Sequence, residues 1–458
     1  MNKKIIVNKF GGGILKKDLL PTIAKRLEEQ LASGYSPIAV VSAMPGITDN
    51  LVSFLTKLNE SILKKNEINL LVENYIIELK KIHSKIIFDM GFQKEWREEI
   101  HIELEKLFFE LEKDLNAVPR TVLGEAHLRT ILSEDKIVSY GEKFSATILS
   151  FYFNFMNLKT KRLLAEEISI VTDDNFKNAN IDYKLSEKNL KLKLSNIKEI
   201  PIIAGFTGIT KNGETTTLGR GGTDTTACFV GAATRAEKVI LWKDVGGVLS
   251  ADPRIVKEAK TIPFVSYQEA EEAGKIIHDK AIQYAKLFKT AVEIASITSP
   301  KQKTIVGKEE KLKKGAKIVS YKKDLTLYII TDEIIKGNEL LAIVSQAFVK
   351  NKVDVILISN TRYSLQIVAD NNHGSANKVI EELKKKVFKV ETQPVSMVYL
   401  VGSFDVGYVN DFNSLLVKLK TDLEISAFLY KNCTRLEAVI GNRDIENVIR
   451  TLYKKFIK

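Results

Sequence analysis

A layered α/β domain with helices on both faces of its sheet, followed by two copies of a smaller βαββα unit, is what this sequence predicts, on three observations. Over residues 1 to about 300, short apolar runs alternate with amphipathic stretches of helical period. Several of those runs end directly in glycine-rich or hydroxyl-rich loops, as strands of open α/β sheets do at the edge where ligands bind. Beyond residue 322 the order strand, helix, strand, strand, helix is spelt twice, an internal repeat.

The elements follow in order. Residues 4–8 read as a buried strand that runs into Lys9-Phe10-Gly11-Gly12-Gly13, where glycine amides and a mobile lysine charge make a phosphate cradle. Residues 37–41 form the next strand, ending in Ser42-Ala43-Met44-Pro45-Gly46-Ile47-Thr48-Asp49-Asn50. From about 50 to 135 the chain is charge-rich with helical spacing (Ile68, Leu71, Val72, Tyr75, Ile76, Leu79), which predicts an inserted helical subdomain. The apolar run 201–206 precedes the most informative stretch, Gly219-Arg220-Gly221-Gly222-Thr223-Asp224-Thr225-Thr226-Ala227. Its glycines admit a ligand to the backbone, and the helix predicted over 225–235 turns free amides toward an anion. A strand at 238–242 leads into a further loop. The α/β domain is expected over 1–300, a lysine-rich connector over 301–323, and the two repeat units over 324–390 and 391–458. The first unit is read in 325–330, 340–349, 353–359, 364–369 and 376–386, and the second in 395–401, 412–419, 423–430, 435–440 and 445–456.

Composition narrows the function classes. With 458 residues and 45% hydrophobic content the chain is long enough for more than one globular domain. Its two cysteines, Cys228 and Cys433, offer neither a disulfide framework nor a metal set, so a cytoplasmic home is expected. No uncharged window approaches the roughly 20 residues of a membrane span, and no signal-peptide core is completed. The net charge of +12 comes from lysines scattered along helices beside acids, a solvated surface rather than a nucleic-acid stripe. The five histidines lack metal-ligand spacing, so no resident metal is expected.

Taken together the motifs resemble the aspartate kinase family of the amino-acid kinase superfamily. The family's opening Lys-Phe-Gly-Gly begins at Lys9, its Ser-Ala-Met-x-Gly-(Val/Ile)-Thr-(Asn/Asp) runs from Ser42 to Asp49, and its Gly-Glu-(Arg/Lys)-(Leu/Phe)-Ser-(Ala/Ser) from Gly141 to Ala146. Its Thr-Asp-x-x-Phe-x-x-Ala appears from Thr172 to Ala179 and its Leu-Gly-Arg-Gly-Gly-(Ser/Thr)-Asp from Leu218 to Asp224. The nucleotide segment follows from Leu241 to Arg254. The resemblance implies a carbamate-kinase-like three-layer sandwich followed by two ferredoxin-like ACT domains. It implies ATP, with Mg2+ carried by the nucleotide, and L-aspartate as partners, and a homodimer or higher assembly through the tail. By the same resemblance Lys9 and Asp224 are catalytic, and Thr48, Glu142, Arg220 and Thr223 bind aspartate. ATP is held by Lys9, Gly11, Gly12, Ser42, Lys243, Asp244, Leu249, Arg254 and Lys275.

The sequence departs from the family at Gly13-Ile14, where Thr-Ser is usual, and at Lys243 and Leu249, where Thr and Tyr are common. A deletion of about four residues is needed before Lys275. Two alternatives to an aspartate kinase therefore stand beside it: a degenerate amino-acid-binding homologue without turnover, and another amino-acid kinase. The tail turns Asn338-Glu339 and Thr361-Arg362 are bulkier and more charged than turns built around an amino acid, so weak or absent inhibition by lysine or threonine is expected.

Overall fold

The computed structural model describes residues 4–60, 65–118, 125–274, 277–308, 314–335, 337–351, 353–360, 364–370, 375–386, 389–419, 423–425, 433–442 and 445–458. The chain divides into two compact units. The first is Met1–Val248 with Thr261–Glu309, and the second is Leu249–Lys260 with Glu310–Lys458.

In the first unit the strands, in chain order, are β1 (Ile5–Phe10), β2 (Ser36–Val41), β3 (Thr160–Leu163), β4 (Ile200–Ala204), β5 (Thr207–Ile209), β6 (Thr215–Thr217), β7 (Lys238–Lys243), β8 (Phe264–Ser266), β9 (Ala291–Ser296) and β10 (Lys303–Gly307). Eight of them form one sheet in the order β3-β4-β2-β1-β7-β9-β10-β8, while β5 and β6 make a separate hairpin. Neighbours in the large sheet run parallel except β9 with β10. Parallel strands are covered on both faces, which is why the central ones are near-continuous apolar runs such as Ile200-Pro201-Ile202-Ile203-Ala204. Register brings the carboxyl ends of the central strands level: Phe10 lies beside Val41 and Trp242, and Val41 beside Ala204.

The helices of this unit are α1 (Leu20–Ala32), α2 (Ile47–Glu60), α3 (Lys65–Asp89), α4 (Lys94–Ala117), α5 (Glu125–Phe155), α6 (Ala165–Ile168), α7 (Tyr183–Ser195), α8 (Gly222–Ala233), α9 (Tyr267–Ala273) and α10 (Asp279–Phe288). One face of the sheet, with Ile6, Phe10, Val41, Ile202 and Ile240, shares a core with Ile23 and Leu27 of α1 and Phe144 and Phe153 of α5. The opposite face is covered by α8, buried along its whole length, with α7 and α10 outside it. Tyr183 stacks on Phe288 there at 4.3 Å between centroids. The helical stretch of the insertion runs through α2, α3 and α4 into α5. Its core extends from Ile68 and Val72 through Leu104 and Leu111 to Phe144, and His83 is buried in it between Phe108 and Phe144. Burial pushes the His83 ring down to about 4, so it packs as a neutral group.

The second unit reads β11 (Gly315–Thr331), α11 (Gly337–Lys350), β12 (Val355–Asn360), β13 (Ser364–Asp370), α12 (Ser375–Leu383), β14 (Lys389–Phe404), α13 (Val406–Lys418), β15 (Leu423–Ile425), β16 (Cys433–Gly441) and α14 (Ile445–Phe456). Two βαββα copies, each ferredoxin-like, thus share one antiparallel sheet ordered β12-β13-β11-β14-β16-β15, joined where the long strands β11 and β14 pair. Each copy has its own core: Tyr328, Val344, Phe348 and Ile367 in the first, Val398, Phe412, Leu436 and Leu452 in the second. Ala251, Ile255 and Val256 of the early segment fill out the second core. Of the strand expected at 423–430 the described residues include Leu423–Ile425. No helix among the described residues is long and apolar enough to cross a membrane.

Candidate active site

Strand periodicity decides where the β1 side chains go. Ile6, Asn8 and Phe10 face α1, where Asn8 Nδ2 donates to Gln30 Oε1 (2.8 Å) and Asn8 Oδ1 accepts from Trp242 Nε1 (2.9 Å). Lys9 therefore faces α8. Its Nζ lies 2.7 Å from Asp224 Oδ1, in the first turn of that helix. Beyond Phe10 the chain turns through Gly11 into a short 3-10 turn at Gly12–Ile14. Side chains have little room here: a Cβ on Gly11 would sit 3.0 Å from Lys9 Nζ, and one on Gly12 would sit 3.0 Å from the Ala43 carbonyl oxygen.

The loop from Gly219 to Gly222 opens α8 in a geometry that needs glycine. Gly219 and Gly221 have φ of 77° and 72°, and a Cβ at Gly221 would come within 2.5 Å of His278 Cβ. No side chain caps the helix, which leaves its first-turn amides to an anion. Thr223 leans against Gly205 at the end of β4, where an added Cβ would lie 2.6 Å from Thr223 Cγ2, and its Oγ1 accepts from Ser42 Oγ at 2.9 Å. The ends of β1, β2 and β4 and the start of α8 thereby converge on Lys9, Ser42, Thr223 and Asp224.

The third wall comes from α5. Residues seven apart on a helix share a face, so Asp135 and Glu142 both look inward. Glu142 is 4% exposed and accepts from the Ala43 amide at 3.2 Å through Oε1. Its Oε2 is buried and makes no hydrogen bond to another residue among those described. Burial pushes this carboxyl up to about 8, against the opposing pull of the Ala43 amide and of Lys9. Gly141 allows the helix to approach so closely; a Cβ there would meet Ala43 Cβ at 3.0 Å and Thr48 Oγ1 at 3.4 Å.

These walls enclose a cavity of about 770 Å³ whose lining includes Lys9, Ser42, Thr48, Arg220, Thr223 and Asp224. Arg220 is exposed and makes no salt bridge or side-chain hydrogen bond among the described residues, so its guanidinium is available to a carboxylate. A cavity carrying the half-buried Lys9, an exposed arginine, the hydroxyls of Ser42, Thr48 and Thr223 and helix-start amides suits a small anionic substrate beside a phosphate.

Not every expected residue lies on this wall. Lys243 and Asp244 sit at the carboxyl end of β7, half-buried and exposed respectively, outside the cavity lining. Glu142 lies behind Ala43. Leu249 and Arg254 fold with the second unit, where Arg254 forks onto Asp252 (Nε to Oδ1 3.0 Å, Nη2 to Oδ2 2.7 Å). That fork, with the Tyr321 hydroxyl donating at 3.0 Å, holds the Asp252 carboxyl well below its usual range. Lys275 lies outside the described residues.

Three residues of the site escape motif reading. Asp135 is 2% exposed and accepts from the Lys177 amide (2.8 Å), the Thr217 amide (2.8 Å) and the Thr217 hydroxyl (2.9 Å), tying α5 to the Lys177 loop and to the end of β6 at the cavity. Burial raises its pKa against those hydrogen bonds. Lys177, at φ 66°, pairs with Glu134, and both line the cavity. Lys280 Nζ donates to Asn178 Oδ1 (2.6 Å), to the Asn178 carbonyl (2.7 Å) and to the Ala179 carbonyl (3.0 Å), pinning the same loop from α10. The one sequence signal was the seven-residue spacing of Asp135 from Glu142.

Known proteins share this sequence pattern and fold. Aspartokinase 1, chloroplastic, of Arabidopsis thaliana is 27% identical over 480 aligned residues, which cover 99% of this chain and 80% of that one. Aspartokinase 1 of Bacillus subtilis strain 168 is 25% identical, with 99% of each chain covered. The crystal structure of E. coli aspartokinase III in complex with lysine and aspartate shares the fold, at a TM-score of 0.81 and 22% identity, covering 99% of this chain and 100% of that one. The model of the Amino acid kinase family matches residues 4–296, the whole span that carries the cavity, and the chain belongs to that family.

Proposed function

We propose that this chain is an aspartate kinase, which transfers the γ-phosphoryl group of ATP to the side-chain carboxylate of L-aspartate and yields 4-phospho-L-aspartate, the first step toward lysine, threonine and methionine. The observation that carries this reading is the meeting of Lys9 with Asp224 beside a cavity open to Arg220 and Thr48. A kinase acting on a carboxylate must bring two anions together, so it works by positioning and by neutralising charge. It needs no general base, because the acceptor is already ionised at neutral pH.

In this reading a carboxylate oxygen of aspartate attacks the γ-phosphorus, the bond from that phosphorus to the β,γ-bridging oxygen breaks, and ADP leaves with the electron pair. Lys9 stabilises the charge on the transferred group, Asp224 holds Lys9 in place, and the amides of Gly11 and Gly12 take phosphate oxygens. ATP arrives as its Mg2+ complex, the cation screening the phosphates. Arg220 grips the α-carboxylate with its planar fork, Thr48 and Thr223 flank the reacting carboxylate, and the orphaned Glu142 oxygen receives the α-ammonium, a cation suited to a buried acceptor. Ser42, Lys243 and Asp244, with Leu249, Arg254 and Lys275, complete the nucleotide side. The assembly is a dimer or higher through the tail, and the protein works in the cytoplasm.

The test is direct. With ATP, Mg2+ and hydroxylamine, aspartate should give the aspartyl hydroxamate, and glutamate or uridylate should be phosphorylated far less efficiently. Equal or better turnover of either would sink the assignment.

A further inference from the structure

Arg220 lies between two glycines, and each of them rests on something held by the first turn of α10. On one side Gly221 packs on His278, the residue that precedes that helix, where an added Cβ would lie 2.5 Å from His278 Cβ. On the other side Gly219 packs on the Lys177–Asn178 backbone and side chain. An added Cβ there would lie 2.7 Å from Asn178 Oδ1 and 3.1 Å from the Lys177 carbonyl oxygen. Asn178 is in turn gripped by Lys280 of α10. Its Nζ donates to Asn178 Oδ1 (2.6 Å), the Asn178 carbonyl (2.7 Å) and the Ala179 carbonyl (3.0 Å), with the Leu218 carbonyl at 3.5 Å. One ammonium thus joins the residue before Gly219 to the residues on which Gly219 rests.

A lysine near a helix start ordinarily extends into water or onto an acid. Lys280 does neither. It is half-buried, makes no salt bridge among the described residues, and gives its protons to uncharged oxygens. Burial holds its pKa below the ordinary lysine value, against the pull of the Asp173 charge. Asp173 itself is occupied by the backbone and side-chain amides of Asn180, at 2.8 and 2.7 Å. Taking an ammonium partly out of water is costly, and here the cost is offset only by charge-assisted hydrogen bonds to three backbone carbonyls and one side-chain amide. Lys280 is not part of the cavity lining, so its effect on a bound substrate must pass through the loop that carries Arg220.

We infer that Lys280 is a positioning residue for the phosphoryl acceptor: by holding Asn178, Ala179 and Leu218 together it fixes the Gly219–Arg220 backbone, and so sets where the Arg220 guanidinium meets the substrate carboxylate. Arg220 has a long side chain and no partner of its own among the described residues, so the placement of its backbone is what limits the volume its fork can search. The inference rests on the reading of Arg220 as the grip on the substrate carboxylate.

Two measurements on the full chain test it, one with turnover and one without. In the hydroxamate assay Lys280→Met should raise KM for aspartate by about tenfold or more, as loss of a charge-assisted hydrogen bond does. Over the same series kcat and KM for ATP should stay within about threefold of the unaltered chain. Lys280→Arg, which returns the charge and the donors, should recover most of the loss. Lys280→Gln, which keeps a donor, carries the same expectations as Lys280→Met should that chain not fold. In a chain that already carries Arg220→Ala, Lys280→Met should lower kcat/KM little further, because both changes disable one contact. Without substrate, amide hydrogen exchange in peptides spanning Thr172–Ala179 and Thr215–Gly222 should be faster in Lys280→Met. If the unaltered chain does not turn over aspartate, the acceptor is refuted, and faster exchange still supports Lys280 as the residue that holds this loop. Unchanged exchange, a loss confined to kcat, a rise in KM for ATP instead, or full additivity with Arg220→Ala would overturn the inference.

Discussion

Lys9 and Asp224 reach each other from different layers of the fold, one from the central strand and the other from the first turn of the helix laid across it, at 2.7 Å and with 14% and 12% of their side chains exposed. Either charge alone would be left nearly dry and uncompensated. Lys9→Ala should therefore lower kcat by about 10²–10³-fold, the usual loss when one charge-stabilising contact is removed. The companion change Asp224→Asn in the same chain should recover thermal stability without recovering turnover. Near-normal kcat for Lys9→Ala would reject its role, and Lys243 would be the next residue to test.

Glu142 sets a pH window. Its ordinary value is 4.5 and burial carries it to about 8, so between those limits the folded chain holds a proton that the unfolded chain has lost. Stability of the ligand-free protein should fall as pH rises through that window, by the sign of the proton difference. In the proposed role it is the ionised form that receives the α-ammonium, so kcat/KM for aspartate should climb toward pH 8. Glu142→Gln should flatten that rise and raise KM, measured over pH 6 to about 9. An unchanged profile would remove Glu142 from the substrate site.

Asp135 does structural work for the same cavity. Asp135→Ala leaves the Lys177 amide and both Thr217 donors without their acceptor, at a cost of about 1–3 kcal/mol. Thermal unfolding should report that loss, and KM for aspartate should rise more than kcat falls, because Asp135 holds the walls of the cavity at Lys177 and Thr217 and makes no contact with Lys9. A drop confined to kcat would count against this reading.

At the end of β4 the restriction is steric. Gly205→Ala places a methyl group 2.6 Å from Thr223 Cγ2 and 3.2 Å from its Cα, so the start of α8 must shift. Overpacking of this kind costs about 1–3 kcal/mol. Activity should fall further than stability does, since Thr223 and Asp224 move together; a fully active Gly205→Ala enzyme would show that their placement is looser than the geometry implies.

Strand β12 closes the six-stranded sheet with Val355 and Ile358 at 38% and 46% exposure, an apolar edge of the sort that pairs with another chain. Light scattering should find a dimer or higher species, and Ile358→Lys should shift it toward monomer. A monomeric wild-type protein would overturn the proposal that the tail assembles the enzyme. In the same preparation, lysine and threonine at millimolar levels should inhibit weakly; strong inhibition by either would show that the tail holds a working effector site.

Much of this was legible in the sequence because local chemistry and global fold coincide. Lys9-Phe10-Gly11-Gly12 could only be a strand running into a glycine turn, and the Gly219 to Asp224 loop announced an anion-binding helix start. The strand and helix order of both tail copies could also be read, since short apolar strand runs such as Val395–Val401 stand between helices with an apolar stripe. Other features were hidden for physical reasons. Asp135 resembles any acid on a charged helix until the fold brings Thr217 and Lys177 to it. The hairpin of β5 and β6 is built from three-residue strands, too short for a period to register. The segment from Leu249 to Lys260 reads as a loop beside the nucleotide strand, and nothing local says that Ile255 and Val256 find their core among residues nearly two hundred positions later.

That segment makes the protein impossible to divide with one cut. Severing the connector would strand Ala251, Ile255 and Val256 on the amino-terminal piece without the core they fill, and would leave the carboxyl-terminal piece with a hole where they belong. During synthesis the same residues must wait, exposed, until α14 has emerged, because the Ser250 and Tyr453 hydroxyls that meet at 3.3 Å are made at opposite ends of the second half of the chain. Maturation of the segment Leu249–Lys260 is thus tied to completion of the last helix, so a truncated or prematurely released chain would carry that segment without the core it completes.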